Sequence, residues 1–207
     1  MPYNKNQIEA YVKKSVEKFK SKYTSEQKQG MDYFVLIDTN YDSPNIAHSS
    51  GYMSIHDHLL VFYLQINMQK ISKFSNDLVR FIIMHELCHS ISKKVELDKI
   101  GPDWKRTACK NNIEKIKKLV KDKMAIVSLS NKYADLASDI SQINCDVNPE
   151  KKHKCIDLCA KDILELNNQK FINILEELYN SSNNNGELLC RMNAAKNGKY
   201  NDCKNIW

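Results

Sequence analysis

The segment SNDLVRFIIMHELCHSISKK (75–94) constrains this chain more than any other. Its spacing predicts a helix from about Asn76 to Lys93, with Ser75 or Asn76 accepting an orphan backbone N–H at its start. Leu78, Val79, Phe81, Ile82, Ile83, Met84, Leu87 and Ile91 then cover most of the circumference. A helix that is apolar nearly all round has no solvent face and belongs in the middle of a domain. The rest of the chain must be built around it.

Three polar side chains interrupt this helix: His85, Glu86 and His89, which spell H-E-x-x-H. Such groups are costly in an apolar setting unless something satisfies them. Positions i and i+4 share one helix face, so both imidazoles can point at one ion, about 2 Å from each nitrogen if that ion is zinc. Glu86 is rotated about 100° from His85. It can sit beside the ion without binding it and take a proton from metal-activated water as that water attacks a carbonyl. The same carboxyl can then protonate the leaving amine. The expectation is a zinc site with His85 and His89 as ligands and Glu86 as the catalytic base. The plain alternative is two core-edge histidines beside a chance glutamate. Cys88 points away from the His89 direction and reads as a small packing residue.

The 207 residues suffice for one domain, or for a domain plus a helical extension. Only five glycines and four prolines are present, which disfavours tight hairpins and argues for a helix-rich chain with a small sheet. Residues 4–23 read as an amphipathic helix through Ile8, Tyr11, Val12, Val16, Phe19 and Tyr23. DYFVLID (32–38), GYMSI (51–55) and LLVFYLQIN (59–67) read as strands, with TNYDSPN (39–45) a loop. After the central helix come a loop with Gly101-Pro102, a basic helix over 103–121, a helix over 125–143, one long helix near 155–180 and a short cysteine-bearing tail. The fold class expected is α+β: an N-terminal helix, a small mixed sheet of about three strands, the central helix and a helical C-terminal half. A catalytic core over 1–123 and an extension over 124–207 divide the chain, the two able to form one domain.

At the H-E-x-x-H residues the sequence resembles the zincin metallopeptidases, in element order over roughly residues 5–120. Within that class it looks most like the SprT-like/Spartan group, which carries HELCH-type motifs and a segment of the form H-G-x-E-W-K opening the next helix. The matching segment here is Gly101-Pro102-Asp103-Trp104-Lys105, and Ile100 stands where that group has its third histidine. The resemblance implies a zincin-like fold, a zinc cofactor and a protein or peptide substrate near DNA. It also requires another residue to complete the metal site, because a catalytic zinc takes three protein ligands and keeps one open position. Asp103 is the first choice, with a helix-capping role as its alternative. Asp98, Glu96, Glu114 and Asp135 are the others; Lys110 and Lys118 flank Glu114 at i±4, so an ion-pair face explains that residue equally. His56 and His58 form an H-x-H pair that fits either a second metal site or a polar strand start.

The net charge of +6 is partly concentrated in 104–123. That stretch reads as the solvated face of a basic helix or as a footprint for nucleic acid. No apolar stretch approaches the roughly 20 residues of a membrane span. The N-terminus lacks the apolar core of a secretory signal, so a cytoplasmic protein is expected, with export as an effector by another route as the alternative. Seven cysteines in such a setting are expected mainly as free thiols, with disulfides in the C-terminal third second. The function expected is hydrolysis of peptide bonds; the alternative is an inactive zincin-shaped module that binds nucleic acid or a protein partner.

Overall fold

The computed structural model describes residues 3–23, 32–40, 42, 44–54, 59–91, 153–182 and 186–200, with shorter pieces at 103, 110–111, 114–115, 118 and 126–128. Helix α1 (Lys5–Tyr23) leads into strands β1 (Asp32–Asp38), β2 (Ala47–Ser54) and β3 (Leu59–Ile66). A single turn α2 (Met68–Ile71) precedes the central helix α3 (Asn76–Ile91). Strand β4 (Ile126–Ser128) and helices α4 (His153–Leu164), α5 (Asn168–Ser181) and α6 (Gly186–Asn197) follow.

The architecture is α+β. Its sheet has four strands in the order β2-β3-β1-β4. β1 pairs parallel with both β3 and β4, and β2 pairs antiparallel with β3 along one edge. Phe34 to Ile37 and Val61 to Leu64 are buried on both faces. That accounts for their unbroken apolar runs, since parallel strands are covered on both sides. The fourth strand is a correction: Ile126–Ser128 begins the segment expected to be helical over 125–143. A three-residue strand is too short to announce itself by alternation. β2 also starts earlier than the strand expected at 51–55.

α1 is closed at its start by a reciprocal cap. Asn4 Oδ1 accepts from Gln7 N at 2.9 Å, and Gln7 Oε1 accepts from Asn4 N at 2.9 Å. Its buried stripe, Ile8, Val12, Val16 and Phe19, faces the core. Ser75 caps α3 by accepting from Leu78 N at 3.2 Å, and Glu177 of α5 in turn accepts from the Ser75 backbone N and hydroxyl. As its composition demands, α3 lies at the centre, packed against β2, β3, α1, α4 and α5.

The long helix expected near 155–180 is two helices. Glu165 takes a left-handed φ of 56°, ending α4, and Asn167 caps α5 by accepting from Lys170 N at 2.8 Å. The expected tail is α6, closed at Gly198 (φ 63°), where Lys199 N reaches back to Ala194 O at 3.1 Å. One buried cluster runs from Ile8 through α3 to Ala195, so the two expected parts share a core.

A disulfide joins Cys88 of α3 to Cys159 of α4, and Cys155 is disulfide-bonded as well. The expectation of free thiols fails for these residues, while Cys190 is free and exposed. Cys88 is buried as expected, but it is a staple between helices, not mere packing.

Candidate metal centre

His85 and His89 lie one turn apart on α3, and their Nε2 atoms approach to 3.1 Å. Two imidazoles on a tetrahedral zinc, each at about 2.0–2.1 Å, would hold their nitrogens about 3.4 Å apart. The third member comes from α4. His153, at that helix's first residue, closes a group in which one ligand atom from each of His85, His89 and His153 lies within 4.8 Å of the others.

Each outer histidine is held from behind. His85 Nδ1–H donates to Asp157 Oδ1 at 2.9 Å, which leaves its Nε2 lone pair facing the cluster. His153 Nδ1 bonds to Glu187, which likewise leaves Nε2 for a ligand role. Carboxylates in this position fix both the tautomer and the direction of a metal-binding ring. Asp157 is held in turn by a two-pronged pair with Arg191, Nε to Oδ2 at 2.6 Å and Nη2 to Oδ1 at 2.7 Å. Glu187 and Arg191 sit four apart on α6, so one helical turn supports two of the three histidines.

Electrostatics agree with this geometry. Burial opposes ionisation of Asp157, but the Arg191 charge and the His85 hydrogen bond outweigh it, and the pKa falls from 3.8 to about 2. Burial would lower the Arg191 pKa, yet Asp157, then Glu187 and Glu86, raise it. The guanidinium is bonded to Asp157 and feels the charges of Glu187 and Glu86 from further off. A divalent cation would add positive charge beside these carboxylates, so the donor set among the described residues fits such an ion in charge as well as in spacing. Glu86 is half-buried beside His85 and makes no hydrogen bond or ion pair among the described residues.

Breaking this support carries two expected effects. Arg191→Met leaves Asp157 buried with the His85 hydrogen bond but without its guanidinium partner, at about 3 kcal/mol of stability, and lowers metal affinity about 10–100-fold. Denaturant melts and competitive zinc titration measure them. The acid response follows in sign. The native carboxyl, with its pKa lowered from 3.8 to about 2, stays ionised where the unfolded one is already protonated. Its contribution, on the order of 2 kcal/mol, is complete above pH 4 or so and is lost as pH falls towards about 2. A metal-free Asp157→Asn variant is expected to show a flatter stability profile across that window.

None of the expected third ligands among the described residues lies in this group. Asp103 is helical and exposed and does not join the cluster; Glu114 is exposed too. Glu96, Asp98 and Asp135 lie outside the described residues, as do His56, His58, Ile100 and Trp104. The described positions of the expected basic helix, Asp103, Lys110, Asn111, Glu114, Lys115 and Lys118, are all helical and exposed. His153 was missed because it belongs to the segment read as an extension. The available signal was Asp157, an acid one turn beyond His153 on the apolar face formed by Cys155, Ile156, Cys159, Ala160 and Ile163.

Comparison with protein-family models, curated proteins and solved structures finds no match for this chain.

Proposed function

We propose that this chain is a zinc-dependent metallopeptidase of the zincin type, with His85, His89 and His153 as ligands and Glu86 as general base. The observation that carries the reading is the arrival of His153 at the H-E-x-x-H turn, which supplies the third donor the motif needs. When bound, zinc supplies Lewis acidity for attack on an amide carbonyl. Glu86, without a hydrogen bond or ion pair among the described residues, would accept the proton of the attacking water and return it to the departing nitrogen. Asp157 and Glu187 hold the imidazoles in the ligating tautomer. β2 lies at a sheet edge packed on α3, where an extended peptide can add as a further strand.

The test is a comparison of wild type with Glu86→Gln. Both are expected to hold one zinc per chain by elemental analysis, while hydrolysis of an unfolded protein substrate falls by about 10²–10⁴-fold or more in the variant. Zinc-loaded wild type that cleaves no peptide bond would instead favour the inactive binding module. The link to DNA rests on the basic segment 104–123; salt-sensitive association lost on neutralising Lys115, Lys117 and Lys118 would support it.

Among the described residues no helix is long and apolar enough to cross a membrane. The buried disulfide supports work in an oxidising compartment, and so the exported alternative over the cytoplasmic one.

A further inference from the structure

Away from the histidines, α1, the first half of α3 and the α4–α5 turn line an open surface pocket of about 310 Å³, with Lys14, Arg80 and Lys170 exposed at its rim. That volume is at the lower end of small-molecule sites, which run from roughly 300 to 1,000 Å³. Arg80 and His89 are nine positions apart on α3, about 180° round the helix, so the cavity and the metal centre use opposite faces.

Its lining is strongly one-sided in charge. Lys14 and Lys18 of α1, Arg80 of α3 and Lys170 of α5 converge on it, against the single acid Asp77. Lys170 is paired with Asp77 at 3.0 Å, and Lys18 lies 3.6 Å from Glu165, which is closer to Lys22 at 2.9 Å. Lys14 and Arg80 have no acidic partner among the described residues; the Arg80 guanidinium lies over the Tyr11 ring, 5.2 Å from its centroid. Lys14 and Lys18 are also one turn apart on α1, a like-charge spacing that weakens a helix unless an anion compensates it. Leu164 and Leu166 give the same cavity an apolar wall, with the buried Ser15 beside them.

We infer that this cavity binds a small phosphate monoester, with the phosphoryl group between Lys14 and Arg80 and an apolar or aromatic body against Leu164, Leu166 and Tyr11. A phosphate monoester carries close to two negative charges at neutral pH and three acceptor oxygens. It meets two cations that have no acidic partner among the described residues, one of them a guanidinium whose fork suits phosphate oxygens. A bare anion would leave the apolar wall unused.

Calorimetric titration of the full zinc-loaded chain with phenyl phosphate and with inorganic phosphate tests this. Phenyl phosphate is expected to bind one per chain, at least about tenfold tighter than inorganic phosphate, since a buried ring adds apolar contact. The Lys14→Ala/Arg80→Ala variant is expected to lose at least about tenfold in phenyl phosphate affinity while keeping its zinc. Absence of binding, or affinity unchanged in that variant, overturns the proposal. So does binding abolished by His85→Ala but retained by the double variant, which would place the anion on the metal. Equal affinity for the two probes overturns the apolar half. Because none of these outcomes depends on peptide hydrolysis, the inference stands or falls apart from the peptidase reading.

Discussion

Replacing His153 by alanine is expected to empty the metal centre. Two histidines one turn apart make a weak chelate; the third ligand brings the site to the three that a catalytic zinc uses. Loss of an outer supporting group costs about 10–100-fold in metal affinity, and loss of a direct ligand is expected to exceed that. Zinc content after dialysis against a buffered zinc concentration should fall from one per chain to near none. The fold should survive, because His153 is half-buried at a helix start and packs on the other two histidines, not in the apolar core. Stability of the metal-free forms is therefore expected to agree within about 0.5 kcal/mol. Asp103→Ala is the matched control and should keep its zinc, since that residue is exposed and outside the cluster. Zinc lost from the Asp103 variant and kept by the His153 variant would reverse the assignment.

The second large effect concerns Cys88 and Cys159. Their disulfide closes a sequence separation of 71 residues. By chain entropy such a closure stabilises the native state by about 4 kcal/mol. For a chain of this size that corresponds to roughly 10–15 °C in melting temperature. Cys88→Ala/Cys159→Ala should show most of this loss without added reductant. The bond joins the helix of His85 and His89 to the helix of His153, so the variant should also bind zinc more weakly. Unchanged melting and unchanged zinc affinity would show that the staple does not hold the two helices in register.

Much of the fold was legible along the chain because the deciding physics is local. The α1 stripe, the two continuous strand runs and the all-round apolar character of α3 each follow from periodicity and burial within one element. The errors lie where a short feature overrules a longer pattern. The left-handed turn at Glu165 and the cap at Asn167 divide what periodicity joins into one helix. β4 is only three residues long and exists because β1 offers it a free edge.

The candidate site divides along the same line. His85, Glu86 and His89 are neighbours on a helix, so their spacing alone put them on one turn. Asp157 lies 72 residues from His85, and no periodicity links positions that far apart. Their meeting depends on α4 packing against α3, with Arg191 of α6 bonded to Asp157 of α4. The residues of one helical turn were therefore fixed by sequence. The third imidazole, the Asp157–Arg191 support and the cysteine staple were decided by the tertiary fold, because long-range contacts are set by which buried faces fit together.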